Sequence, residues 1–231
     1  MRNIKAIFTK QAKDMFSNPM VLMNFILFPV VALIMTRLVA IPNYDIPNDM
    51  FVTMMAAVFA GMGLVTATAG IIAEDIENKS LRLLVMAGVK PQQYLLGIGG
   101  FLLLASAITA VAFGLIGRFT GEDLMKFLVV MISSTAASII LGATIGMMAK
   151  NQQAANSLAM PAAVILGFAP MIANFNETFE RVASVLYTQQ LNVIVNDFSA
   201  NFGKAMLVIG VNIAVLTVLF ILAYRKKGLK A

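Results

Sequence analysis

The chain has 231 residues, 60% of them hydrophobic and 12% charged, with a net charge of +6 and a mean hydropathy of +0.87. So few charges cannot coat a water-soluble surface of this size, and the composition is that of a membrane protein. Cysteine and histidine are both absent, which excludes disulfide frameworks, thiolate and imidazole metal sites, and the commonest proton shuttle.

A hydrocarbon core about 30 Å thick needs roughly 20 apolar residues per helix. The sequence supplies such runs rather than the alternating ten-residue segments of a barrel, so helices are the spanning element. Residues 1–19 come first, with Ile4, Phe8, Ala12, Met15 and Phe16 on one helical face and Arg2, Lys5, Lys10 and Lys13 largely off it. This pattern predicts a helix lying on the membrane surface, closed by Asn18 and Pro19. A first span follows at about 20–40, with Pro29 inside it and Arg37 near its far end. A proline-rich turn leads to a second span at about 51–73, and a charged loop precedes a third at about 95–116.

The fourth span is expected at about 127–149. The fifth, 158–173, is short and carries Pro161 and Pro170, which favours a bent or partial crossing. Residues 174–203 are too polar for a span, yet Phe175, Phe179, Val182 and Leu186, then Leu191, Ile194, Phe198 and Phe202, fall at helical spacing. They read as two short amphipathic helices dipping into the interface. The sixth span is about 205–224.

Six spans put both termini on one side. That side collects Lys10, Lys13, Lys79, Arg82, Lys90, Lys150, Arg225 and Lys230, among others, whereas the opposite side has only Arg37, Arg118, Lys126, Arg181 and Lys204. The positive-inside rule therefore makes the termini and the charged loop cytoplasmic, and accounts for the basic balance without any nucleic-acid partner.

Ionisable groups deep in a bundle mark ion-coupled carriers, and none lies mid-span here. The phosphate-binding pattern G-x-x-x-x-G-K-[ST] is missing, so the chain does not hydrolyse ATP alone and binds no cofactor of its own. Gly142 with Gly146, and Ala57 with Gly61, form small-residue steps that let helices approach closely. Asn24, Thr66, Thr68, Ser133, Ser134 and Asn212 are polar groups that helices can satisfy internally.

The charged loop, AEDIENKSLRLLVMAGVKPQQYLLG, starts with Glu74, Asp75 and Glu77, passes through Ser80, Leu81 and Leu84, turns at Gly88 and restarts at Pro91. Acids suit a helix start, glycine a stop and proline a new first turn, so a short helix is expected across the mouth of the bundle. A capped connector and a docking element both fit. The apolar content exceeds what a solvated connector requires.

The surface helix, six spans, the loop pattern E-D-x-E-N-K-S-L-R-L-L-x-x-A-G-V-x-P-x-x-Y-L-L-G and the polar excursion before the last span together resemble the membrane subunit of ABC-2 type ATP-binding cassette transporters. The resemblance covers essentially the whole chain. It implies an all-α membrane protein, one transmembrane domain over 1–231, with a connecting helix at 1–19, a coupling-helix loop at 74–94 and an outer re-entrant region at 174–203. It further implies that Glu74, Asp75, Glu77, Ser80, Leu81, Leu84, Gly88 and Pro91 meet a separate nucleotide-binding ATPase subunit that holds ATP and Mg. A second permease subunit, a surrounding lipid bilayer, residence in a bacterial cytoplasmic membrane and outward transport of an amphipathic, lipid-like, drug-like or peptide substrate also follow from it. The implied pathway residues are Asn24, Met55, Met62, Thr66, Met160 and Phe168. An ATP-independent channel or carrier, and a non-transporting assembly or immunity protein, are the alternatives from other classes.

Overall fold

The computed structural model describes residues 2–17, 19–40, 47 and 49–228. Asn18 as a helix stop, most of the proline-rich turn and Lys230 fall outside them, as do the side chains of Arg2, Ile4, Lys5, Phe16 and Pro91. All regular secondary structure among the described residues is helical, without a strand. Helix α1 (Arg2–Ser17) precedes α2 (Pro19–Met35), which runs on as a π-helical turn, Thr36–Ala40. The second span joins α3 (Met50–Val58), a π-helical stretch, Phe59–Leu64, and α4 (Val65–Glu77). Short α5 (Ser80–Met86) leads to α6 (Pro91–Ile116), α7 (Gly121–Met148) and α8 (Gln152–Ala173). Two seven-residue helices, α9 (Glu177–Ala183) and α10 (Gln190–Asn196), come before α11 (Phe198–Gly228).

Six of these helices are long and apolar enough to cross a bilayer: Leu22–Ala40, Met50–Glu77, Gln92–Ile116, Gly121–Met148, Gln152–Ala173 and Phe198–Arg225. Large apolar side chains remain exposed along them, among them Ile26, Ile34, Ile108, Leu115, Ile165 and Leu207. In water such a surface would aggregate, whereas in lipid it needs no cover, because every backbone group along a helix is satisfied internally.

Several boundaries depart from the sequence reading. The second span continues one turn further and takes Glu74, Asp75 and Glu77 with it, so these acids end α4 rather than begin α5. Nothing before Asn78 breaks the helix; the chain turns at Lys79, whose φ is 59°. The fifth span begins at Gln152 and is one helix of 22 residues that includes Pro161 and Pro170. Its start is fixed by Asn151, whose side-chain oxygen accepts from Ala154 N at 2.8 Å, so the polar residues read as loop form its first turns. Phe198 and Phe202 belong to α11, because the Asp197 carboxylate accepts from Ser199 N at 3.0 Å and Ala200 N at 2.9 Å and caps that helix. The buried side of α1 centres on Ile7, Gln11 and Met15, with Phe8 and Ala12 half-buried at its flank. Phe8 meets the α6 ring of Phe101 edge-on, with centroids 5.4 Å apart.

The second and fourth spans form the interior of the bundle, while the first and sixth expose most of their length. Small residues make this possible. A Cβ placed on Gly142 would lie 2.6 Å from the Val65 carbonyl oxygen, and one on Gly146 would lie 2.7 Å from the Ala69 oxygen, so α7 rests directly on the α4 backbone. Gly61 stands in the same relation to α8, 2.5 Å from Gly167 N. Without a hydrophobic driving force between helices in lipid, such close van der Waals contact is what holds them together.

Helix α9 packs on α8 and helix α10 on α11, α3 and α7, and the turn between α9 and α10 reaches far along the bundle. Ser134 Oγ donates to the Tyr187 carbonyl at 3.3 Å, Ser138 Oγ to the Tyr187 hydroxyl oxygen at 2.9 Å, and Asn212 Nδ2 to the Val185 carbonyl at 3.0 Å. At about 1.5 Å per residue, these partners lie roughly 20 to 25 Å from the ends at which α7 and α11 begin.

Replacing Gly142 with alanine should lower stability by about 2 kcal/mol, since the new methyl must push backbone away. Gly210, on α11, has no atom within 4 Å of an added Cβ, so Gly210→Ala should leave stability unchanged or raise it slightly. Thermal unfolding of both variants in detergent checks the opposite signs.

Candidate functional site

The end of the bundle that carries α5 is organised around Asp75, only 5% exposed. Lys10 of α1 donates to Asp75 Oδ1, and the hydroxyl of fully buried Tyr94, on α6, donates to Oδ2 at 2.9 Å. Three elements remote in sequence thereby share one carboxylate. Burial alone would lower the Lys10 pKa, but the hydrogen bond to Asp75 and the charges of Asp75, Asp14 and Glu74 outweigh it and hold the pKa above the ordinary lysine value. The stabilisation from this ammonium is complete below the ordinary pKa and disappears only as pH rises through the raised one.

The three acids read together in the sequence have separate surroundings. Glu77 Oε2 accepts from the Gln152 backbone N–H at 3.1 Å, which places a carboxylate at the positive start of α8. Glu74 is exposed and faces a groove shared with α8. Only Asp75 is buried, and its two partners offset the unfavourable position of an acid at a helix end.

Helix α5 is tied down on one side. Leu81 is buried, Ser80 and Leu84 are half-buried, and Leu83 and Met86 are 62% and 67% exposed. The helix stops at Gly88, whose φ of 77° suits glycine, and Val89 N returns to the Leu84 carbonyl at 3.0 Å. Tyr224, near the end of α11, donates its hydroxyl to the Val89 carbonyl at 3.2 Å. Pro91 then opens α6 at a position that needs no N–H. Leucine spacing in the sequence does not distinguish these directions: of the two leucines singled out there, Leu81 points into the protein, and the outward residues are Leu83 and Met86.

Four of the six residues expected along a pathway meet in one groove of about 290 Å³: Asn24, Met62, Thr66 and Met160, joined by Ile71, Glu74, Gln152 and Asn156. Met62 lies in the π-helical stretch, and Thr66 Oγ1 donates to the Met62 carbonyl at 2.7 Å, partnering an oxygen in that widened turn. Met55 and Phe168 lie outside the groove lining; Met55 is half-buried on α3 and Phe168 is 38% exposed on α8.

The family model described as ABC-2 family transporter protein matches residues 43–225, most of the chain. The chain belongs to the ABC-2 transporter family. No curated protein matches it in sequence. As an ABC-2 permease with six apolar helices it is an integral membrane component of a transporter, and the family generally works with a separate ABC ATPase subunit. The match begins after α1, so the attachment of that helix to the permease rests on the Lys10, Phe8 and Ile7 contacts themselves.

Sequence reasoning missed Lys10, Tyr94 and Tyr224 as partners of the loop, and Gln152 and Asn156 in the groove. The available signal was the cost of an acid at the border of an apolar run, which demands a counter-charge from elsewhere. Removing only the base strands that charge, so Lys10→Met should destabilise by about 2 kcal/mol, below the usual range for buried pairs because the lysine is half exposed. Adding Asp75→Asn should recover part of the loss. Thermal unfolding of the single and double variants gives the comparison, and equal stability of Lys10→Met and the unaltered protein would contradict this assignment.

Proposed function

We propose that the chain is the membrane subunit of an ABC exporter, driven by ATP that a separate nucleotide-binding subunit hydrolyses with its own Mg. The observation that carries this reading is the two-sided character of α5. Its inner side is fastened through Leu81, the Asp75 cluster and Val89, while Leu83 and Met86 stand exposed at a bundle end rich in Lys and Arg. Apolar side chains exposed among charged ones suit cover by a partner protein or the membrane surface, and here we take the partner. A partner that pushed on them would move α1, α4 and α6 together, since all three grip the same carboxylate.

In this reading the α5 end is cytoplasmic, in keeping with its Lys and Arg excess. Residues 74–94 act as the coupling element, with Glu74, Asp75, Glu77, Ser80, Leu81, Leu84, Gly88 and Pro91 holding its shape and Leu83 and Met86 touching the ATPase. Residues 1–19 add a second contact with that subunit. The α9–α10 segment is a re-entrant cap over the outer end of the pathway, consistent with the bonds of its connecting turn to Ser134, Ser138 and Asn212. A second permease subunit, of the same or another chain, completes the pathway. Alternating access requires that substrate and nucleotide favour different states of the dimer.

Purification in mild detergent should bring down an ATPase subunit carrying G-x-x-x-x-G-K-[ST]. Leu83→Asp should remove it and abolish ATP-driven export, while membrane insertion and thermal stability stay unchanged. Retention of the ATPase and of transport by this variant would count against α5 as the coupling element.

A further inference from the structure

The groove between α2, the second span and α8 has an unusual charge for its location. Its bundle end is basic, with Lys10, Lys13, Lys79, Arg82, Lys90 and Lys150, yet the described groove lining contains one carboxylate, Glu74, and no cation. Glu74 is exposed, and among the described residues its carboxylate makes no salt bridge. Among the described residues the charge of Lys10 reaches Glu74, and Lys10 is already engaged by Asp75. Uncharged amides from Asn24, Gln152 and Asn156 surround this end, and Met62, Ile71 and Met160 provide an apolar lining beyond it.

We infer that this groove selects amphipathic substrates with a cationic head, the head set against Glu74 and the apolar body against Met62, Ile71 and Met160. The inference rests on reading the groove as the loading site of the permease. An anionic head would meet the Glu74 carboxylate without a cation in the lining to balance it, and would be repelled. A cation replaces solvent at a carboxylate that makes no salt bridge among the described residues, and Lys10, whose charge reaches it, stays engaged by Asp75. The flexible thioethers suit bodies of varied outline, which places the discrimination in the head charge rather than in shape.

Tetraphenylphosphonium and tetraphenylborate test this, because they share a shape and differ in the sign of their charge. Binding is measured on the purified chain in nanodiscs, with the uptake of protein-free discs subtracted. Tetraphenylphosphonium should show saturable binding that Glu74→Gln weakens about fivefold, the scale of an exposed ion pair. The same variant should not weaken tetraphenylborate binding, and Met160→Trp should fill the groove and remove the saturable component. Equal phosphonium binding by Glu74→Gln, a preference for the borate, or no binding beyond that of empty discs would overturn the inference. The measurement involves no ATPase, so loss of the partner reading would leave its outcome unaffected, and loss of charge selection would leave the Leu83→Asp result standing.

Discussion

A carboxylate that is 5% exposed at the end of an apolar span is stable only where opposite charge and hydrogen-bond donors reach it, because an isolated buried charge costs far more than any contact around it returns. Asp75 meets that condition through Lys10 and Tyr94. The consequence is architectural. Helix α1 is fixed against α6, the end of the second span is fixed against the start of the third, and α5 between them becomes a rigid element with one bound face and one free face. Tyr224 adds the sixth span through Val89.

The remainder of the bundle transmits whatever happens at that cluster. The second span carries Asp75 at one end and, along its length, the glycine contacts that seat α7 and α8 on its backbone. Packed interfaces of this kind have little room for gradual deformation, so displacement of α4 requires its neighbours to move with it. The π-helical stretch, Phe59–Leu64, lies on the same span and contributes Met62 to the groove. The Asp75 cluster and the groove thus share one span, with Glu74 and Asp75 adjacent in sequence and facing different surroundings.

The six spans were legible because each is an apolar run of the length a bilayer demands, and the pairing of small residues at Gly142 and Gly146 was legible as a place of close approach. The stop at Gly88 was also readable, since glycine is the residue that takes the required φ. What the local pattern did not reveal is where α4 ends: acids favour a helix start, but Lys10, 65 residues away, stabilises Asp75 at a helix finish. Nor could spacing separate Leu81 from Leu83, because which face of a seven-residue helix is buried depends on elements that contact it from elsewhere in the chain. Asn24, Met62, Thr66 and Met160 were assembled from family likeness, and their shared groove emerges only from the packing of α2, the second span and α8. The polar start of α8 lacks the apolar periodicity that marks a span; its cap, Asn151, is a local signal, whereas its second acceptor, Glu77, comes from 75 residues away.

The central claim is that the free face of α5 is covered by a nucleotide-binding subunit. A photo-reactive benzophenone amino acid placed at position 83 in cells, irradiated and followed by mass spectrometry of the adducts, tests it most directly. The account predicts a crosslink to a protein containing G-x-x-x-x-G-K-[ST], absent when the same group is placed at exposed Leu207 on α11. Adducts to lipid alone at position 83 would contradict it.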